Sequence, residues 1–206
     1  MSPPPSAKIP RAGRSRNSSQ AGLRSIRLHS RMQNSAGSER WCELSTTPAK
    51  HSHPTLGAAW ITAIPSPGEE LICHNDLAPW NLIIGKRWTF IDWDAAAPST
   101  RLWDLAYAAQ AFTLSNTQQA PTEAAQNLAA FVDGYAADPG LRAGLPAAMH
   151  RRAAAMYDLL RSSHGTGQEP WGTMYANGHG DHWRAATQYA RQHQRIWVEA
   201  LLLSTR

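Results

Sequence analysis

The spacing of the apolar residues divides this chain near Pro98. Before Pro98 the apolar residues form short runs between polar segments, and after it they recur at helical intervals. The run Leu71–Cys73 predicts a strand. The segment NLIIGKRWTFIDWD predicts a hairpin, in which a Gly-Lys turn joins strands at Leu82–Ile84 and 88–91.

Helices are predicted for the rest of the chain. The segment after Pro98 carries apolar residues on one helical face, at Leu102, Leu105, Ala106, Ala109 and Phe112. A second helix is predicted from near Thr122 to about Ala137, and a third in LPAAMHRRAAAMYDLLRSS, with Pro146 in its first turn. The segment HWRAATQYARQHQRIWVEALLL predicts a fourth, long helix. A hairpin followed by helices predicts an α+β fold, mostly α, in which a small β-hairpin platform lies on a helical bundle.

Residues 1–55 show neither the short apolar runs typical of strands nor apolar residues at helical intervals. They are rich in Ser, Arg and Pro and poor in aliphatic side chains, so we expect them to form a disordered, basic leader. An organelle transit peptide has a similar composition, and a misplaced start or a shifted reading frame would also produce such a segment. Residues 56–206 are predicted to form the folded domain.

The charge is distributed unevenly along the chain. Residues 1–50 hold nine Lys or Arg and two acids, whereas residues 51–206 hold eleven Lys or Arg and thirteen acids. The predicted domain is therefore slightly acidic, which argues against nucleic-acid binding. No apolar run reaches the roughly 18 residues of a membrane span, so we expect no membrane association and a cytoplasmic location. The two cysteines, Cys42 and Cys73, form no disulfide framework, which fits a reducing compartment.

Four polar residues around the predicted hairpin need a chemical reason: Asp76, Asn81, Asp92 and Asp94. A loop carboxylate at a strand end can accept the proton of an attacking hydroxyl, and an amide oxygen can bind Mg²⁺ without adding repulsion. Asp92 and Asp94 fall on one side if their segment stays extended, and two close carboxylates favour a cation between them. A base, an amide ligand and a carboxylate ligand are the parts of a phosphoryl-transfer site. The alternative is that all four are ordinary turn residues.

The motif HNDLAPWN, followed by FIDWD and then RLWDLAY, resembles the aminoglycoside phosphotransferase and choline kinase-like family. These relatives of protein kinases phosphorylate hydroxyl groups of small molecules with ATP and Mg²⁺. The resemblance, strong over residues 65–109, implies a kinase-like C-terminal lobe. It implies that Asp76 is the catalytic base, that Asn81 and Asp92 are magnesium ligands, and that Asp94 assists the metal or holds the loop.

Two further residues of the motif are implied to have supporting roles. Asp104, in the segment WDLA, matches a family aspartate that braces the catalytic loop by hydrogen bonds. His74 begins the motif and is expected to shape the loop rather than to carry protons.

The chain departs from the family before His74. The family carries an N-terminal lobe there, with a glycine-rich loop, a strand lysine and an adenine-binding hinge. Residues 1–73 contain two lysines, Lys8 and Lys50, and the sequence has no GxGxxG. We therefore expect the N-terminal lobe to be absent and the chain to be a truncated phosphotransferase of a small-molecule hydroxyl.

Two alternatives remain open. The chain is an inactive fragment that binds a ligand or a metal, or it is a helical module whose exposed face above the hairpin binds a partner. Of the other side chains, Trp80 and Trp93 flank the site and are expected to pack. The helical arginines are expected to face solvent: Arg151, Arg152, Arg184, Arg191 and Arg195.

Overall fold

A computed structural model describes residues 60–86 and 88–203, with the backbone alone at Leu203. The predicted leader, residues 1–55, lies outside these ranges. The described chain is mostly helical with small antiparallel sheets, which confirms the predicted α+β class. None of its helices combines the length and the apolar character needed to cross a membrane.

The described ranges contain four strands of three residues each: β1 Leu71–Cys73, β2 Leu82–Ile84, β3 Trp88–Phe90 and β4 Ala97–Ser99. The predicted hairpin is confirmed, since β2 pairs with β3 in antiparallel register, with Leu82 opposite Phe90. A second antiparallel pair joins β1 to β4, with Cys73 opposite Ala97. Sequence reasoning missed β4 because it contains Pro98 and lacks the β-branched and aromatic residues typical of strands.

The strand pairing brings two loops together. The first loop, residues 74–81, runs from the end of β1 to the start of β2. The second loop, residues 91–96, runs from the end of β3 to the start of β4. Because these four strand ends are paired as Cys73 with Ala97 and Leu82 with Phe90, the two loops lie side by side.

Six α-helices follow in the described part of the chain: α1 Arg101–Ala109, α2 Pro121–Gly134, α3 Pro139–Thr166, α4 Trp171–Met174, α5 Gly180–Gln192 and α6 Gln194–Leu203. Wider, π-helical turns continue α1 through Gln110–Leu114 and join α4 to α5 through Tyr175–His179. The start of α1 is fixed by Thr100, whose side chain accepts the Trp103 N–H at 3.1 Å.

The third helix begins earlier than predicted. Asp138 caps α3 by accepting the Leu141 N–H at 2.9 Å, and Pro139 occupies the first helical position. Pro146, which was predicted to lie in the first turn, is inside the helix instead. Asp138 and Pro139 together supply both the cap and the proline that favour a helix start.

The predicted fourth helix is wrong as a single element. It is divided into α5 and α6 at His193, which leaves helical geometry with φ −106° and ψ 17°. The Trp197 indole donates to the Ala190 carbonyl at 3.0 Å and so satisfies one of the last acceptors of α5. The chain can turn at this point because that carbonyl keeps a partner.

The core consists of two clusters of buried side chains. The larger one joins the hairpin, α1, α2, α3 and α6 around Leu105, Leu128, Leu145, Met149 and Trp197. The smaller one joins α1, α3 and α5 around Tyr107, Met156, Leu160 and Trp183. The first loop contributes Leu77 to the larger cluster and Ala78 to the smaller one, so two adjacent residues fix it to both parts of the core.

Candidate active site

His74 begins the first loop, with only 2% of its surface exposed. Its Nδ1 accepts the backbone N–H of Asp76 at 3.3 Å, and its Nε2–H donates to the Ile91 carbonyl at 3.1 Å. Burial lowers the pKa of the imidazole, which favours the neutral ring that these two bonds require. His74 therefore ties the first loop to the second, and because both ring nitrogens are engaged in hydrogen bonds, neither is free for proton transfer.

Asp76 and Asn81 contact each other directly. The Asn81 amide donates to Asp76 Oδ2 at 2.8 Å and to the Asp76 carbonyl at 3.0 Å. A tight turn over Pro79–Asn81 makes this possible, since the Asn81 N–H bonds back to the Ala78 carbonyl at 3.0 Å. The Asn81 amide group uses its nitrogen on Asp76, which leaves Oδ1 on the other side as an acceptor.

Asp92 and Asp94 lie in the second loop and are both exposed. The expectation that an extended segment puts them on one side fails, because β3 ends at Phe90 and Asp92 has a left-handed φ of 66°. Asp92 is instead placed by its neighbour Ile91, whose N–H bonds to the Asn81 carbonyl at 2.9 Å. The backbone therefore links Asp92 to Asn81 through its neighbour Ile91.

Asp104 lies in the first turn of α1, beneath the first loop. Its Oδ1 accepts the backbone N–H of Asn75 at 2.8 Å, which is the contact expected of a residue that braces the loop. Burial raises the pKa of this carboxyl to about 6, against the opposing effects of the Asn75 hydrogen bond and the Arg152 charge. Asp104 is thus held in a place where its ionised form is unfavourable.

Asn75 is a residue that sequence reasoning missed. It has a left-handed φ of 61°, and its side-chain amide donates to the carbonyls of Cys73, Ala95 and Ala97 at 3.2 to 3.4 Å. These bonds join β1, the second loop and β4 around one side chain. The available signal was that asparagine tolerates left-handed geometry and bonds to nearby backbone better than most residues.

Arg152 corrects the expectation that the helical arginines face solvent. Arg151, Arg184, Arg191 and Arg195 are exposed, but Arg152 is only 5% exposed and lies against the first loop. The sequence held a signal for this burial. Arg152 stands three residues after Met149 and four before Met156, both buried, so helical spacing puts it on the buried face of α3.

The two tryptophans beside the site pack less than expected. Trp93 is 45% exposed, and its ring lies 4.6 Å from that of His74, centroid to centroid. Trp80 is 62% exposed. Ile83 and Ile91 are also exposed, so the hairpin side of the site presents several large apolar side chains to its surroundings.

The donor atoms near the two loops suit a magnesium ion. Among the described residues, no three His, Cys, Asp or Glu side chains cluster closely enough to hold a metal by themselves. Magnesium does not need such a cluster, because it is usually bound by one or two carboxylates together with substrate phosphates and water. The Asn81 amide is oriented with its oxygen away from Asp76, and the Asp92 carboxylate is exposed, so an all-oxygen set of this kind fits.

Comparison with known protein families decides the wider relationship. A family model described as the phosphotransferase enzyme family matches residues 21–154. The chain belongs to the phosphotransferase enzyme family. This confirms the resemblance to aminoglycoside phosphotransferases and choline kinase-like proteins, and it implies phosphotransferase chemistry in general terms. Comparisons with curated proteins and with solved structures give no match.

The phosphotransferase match contains the whole candidate site. It begins at residue 21, inside the predicted leader, and it ends at residue 154 within α3. The residues of both loops, Asp104 and Arg152 therefore all lie within the part of the chain that is similar to the family.

Proposed function

We propose that this chain is an ATP-dependent phosphotransferase that acts on the hydroxyl group of a small molecule, and that its described part is a kinase-like C-terminal lobe. The observation that carries the proposal is the contact between Asp76 and Asn81, 2.8 Å from amide nitrogen to carboxylate oxygen, in a loop fixed from both sides. Family membership supports the reaction class. The order of a small β platform followed by helices supports the lobe assignment.

The residues divide into two roles. Asp76 orients the acceptor hydroxyl and takes its proton, because its carboxylate is held in one direction by the Asn81 amide. Asn81 and Asp92 hold Mg²⁺, and Asp94 assists the metal or the second loop. The bound ion supplies positive charge beside the β- and γ-phosphates of ATP. Catalysis then comes mainly from positioning, which is consistent with a loop anchored through Leu77 and Ala78.

A second candidate is a binding module without turnover. Two observations favour it: the sequence contains no GxGxxG, and large apolar side chains beside the hairpin are exposed, at Trp80, Ile83, Ile91 and Trp93. An exposed apolar surface of this kind often marks a contact with another molecule. In this reading the site residues hold a ligand, and a partner covers the hairpin face.

Thermal unfolding with Mg²⁺ and ATP tests the proposal. A ligand present at a hundred times its dissociation constant stabilises the native state by about 2.7 kcal/mol, which is a measurable shift in melting temperature. We expect a magnesium-dependent shift in the wild-type chain that Asp92→Ala abolishes. Asp158→Ala is the matched control, since Asp158 is an exposed acid on α3 that pairs with Arg161 at 3.1 Å.

Turnover separates the two candidates. ADP release is measured with a panel of hydroxyl compounds: an aminoglycoside, choline, homoserine, a sugar and a macrolide. Acceptor-dependent release supports the phosphotransferase. A melting shift with no release from any acceptor supports the binding module, and the absence of both in a cooperatively folded chain contradicts the proposal.

A further inference from the structure

Arg152 is a buried cation against the first loop. It lies near the middle of α3, and its guanidinium carbon is 4.6 Å from the ring centroid of Tyr107 and 5.7 Å from that of Trp103. Such contacts stabilise a cation over an aromatic face. The two aromatic rings belong to α1, so Arg152 reaches the site across the α1–α3 interface.

Its hydrogen bond goes to the residue before Asp76. Arg152 Nη2 donates to the Asn75 carbonyl at 3.1 Å. The N–H of the same residue is held by Asp104, and its side chain is held by three carbonyls. Arg152 adds a bond to the Asn75 carbonyl, and this carbonyl belongs to the peptide group that leads into Asp76.

The burial of this arginine is only partly compensated by hydrogen bonds. Within the described part of the chain, Nε and Nη1 are buried and have no hydrogen-bond partner. Most buried side-chain polar atoms have a hydrogen-bond partner, so these two nitrogens need another source of compensation. The compensation comes from charge: burial lowers the pKa of Arg152, and the carboxylates of Asp76 and Asp104 oppose that effect.

We propose that Arg152 is a positioning residue for phosphoryl transfer: its buried guanidinium fixes the Asn75–Asp76 peptide group and balances the adjacent carboxylates of Asp76 and Asp104. The inference rests on the proposed function in so far as Asp76 is the base. Arg152 acts through the Asn75 carbonyl and through its charge. It therefore sets where Asp76 stands, while the contacts of Asp76 with the acceptor are made by Asp76 itself.

The chain of 206 residues offers a matched pair of arginines for the test. Arg152→Gln keeps an amide donor and removes the charge, Arg152→Lys keeps the charge and removes the planar group, and Arg151→Gln makes the neutral change at the exposed neighbour. Two quantities are measured: amide hydrogen exchange across residues 73–78, and the kcat and KM of ADP release from Mg–ATP. The acceptor is the best compound of the panel above or, if none reacts, water.

With Arg152→Gln we expect exchange in residues 73–78 to rise at least tenfold and kcat to fall at least tenfold, with the KM for ATP within threefold of wild type. Arg152→Lys is expected to recover part of the protection from exchange and part of the kcat. Arg151→Gln is expected to change neither the exchange nor the kcat. Unchanged exchange in Arg152→Gln, or an equal rise in Arg151→Gln, overturns the proposal. The proposal is also overturned if Arg152→Gln has the same exchange and the same kcat as Arg152→Lys, because the charge would then not be the property that positions the loop.

If the chain is not a phosphotransferase, the same experiment gives a different result. A wild-type chain without turnover, in which Arg152→Gln still raises exchange around Asp76, supports the positioning of the loop and contradicts the phosphotransferase. Melting curves identify a glutamine variant that does not fold. In that case Arg152→Lys is compared with Arg151→Lys, and a kcat equal in the two lysine variants overturns the proposal.

Discussion

The two loops of the candidate site differ in how they are held. The first loop is built into the protein: His74, Leu77, Ala78 and Asn81 are buried. The second loop is exposed from Ile91 to Ala95. Its fixed points are supplied largely by the first loop, through bonds of the His74 ring and the Asn81 carbonyl to Ile91 and of the Asn75 amide to Ala95.

This difference suits the two proposed tasks, proton removal by a base and ion binding by a carboxylate. A base must stand within hydrogen-bond reach of the proton it removes, so a fixed position is an advantage for Asp76. A carboxylate that binds a hydrated ion together with a substrate needs access to solvent, and Asp92 has it. On the proposed roles, the first loop therefore supplies the base and the amide ligand of Asn81, and the second loop supplies the exposed carboxylate ligand.

The largest effect should come from Asp76, the proposed base. Asp76→Asn is expected to lower kcat by about 10²–10⁴-fold, which is the usual contribution of general acid–base catalysis. The melting temperature should fall only modestly, because the asparagine oxygen still accepts from the Asn81 amide, although it no longer balances the charge of Arg152. The measurement is kcat of ADP release beside a melting curve, with Asp158→Asn as the control. A variant that retains kcat would remove Asp76 from the role of base.

The next largest effect should come from Leu77, which anchors the first loop in the core. Leu77→Ala removes a buried side chain of the larger cluster and is expected to reduce the free energy of unfolding by about 2–5 kcal/mol. Ile91→Ala, at the exposed start of the second loop, should cost less than about 1 kcal/mol, since the backbone bonds of residue 91 persist. Urea unfolding of both variants gives the comparison, and equal losses would show that the two loops are anchored alike.

Sequence reasoning reached the parts of this site that follow local rules. The strands 71–73 and 82–84 and the helix from Arg101 follow from apolar spacing, and this spacing also puts Asp76 and Asn81 in the loop between the two strands. Strand β4 has no local signal of its own, because Ala97–Ser99 gains strand geometry only by pairing with β1. Tertiary pairing of this kind decides structure against local propensity.

The supporting contacts were harder to predict for a related reason. Asn75 and Arg152 lie 77 positions apart, and only the packing of α3 on α1 brings them within 3.1 Å. Composition also favoured the wrong interpretation of Arg152, because arginines among alanines usually face solvent. The buried methionines at helical spacing from Arg152 indicate the correct face, but they do not indicate which loop that face meets.

The burial of Asp104 beneath the first loop predicts that the stability of the protein depends on pH. The pKa of Asp104 is about 6 in the folded chain, above the ordinary value of 3.8, so between these pH values the native state binds more protons than the unfolded state. The contribution of Asp104 to stability is therefore present below about pH 4 and is lost as the pH rises to about 6. The loss can reach about 3 kcal/mol.

Asp104→Asn should remove this slope. The asparagine oxygen still accepts from Asn75, but it does not ionise, so the variant should gain stability relative to wild type as the pH rises from 4 to 6. The measurement is urea unfolding at several pH values. Asp94→Asn, in the exposed second loop, serves as the comparison and should leave the slope in place. Parallel curves for wild type and Asp104→Asn would contradict the buried brace.

The smallest effect concerns the exposed backbone of the second loop. Asp92 has a φ of 66°, a conformation that glycine adopts without strain and alanine does not. Asp92→Gly and Asp92→Ala both remove the carboxylate, but the glycine variant should be more stable than the alanine variant by about 1 kcal/mol. Both should lose the melting shift with Mg²⁺ and ATP. A shift that disappears only in the alanine variant would mean that backbone strain, and not the missing carboxylate, had abolished binding, and the second loop would then lose its assignment as the site of the ion.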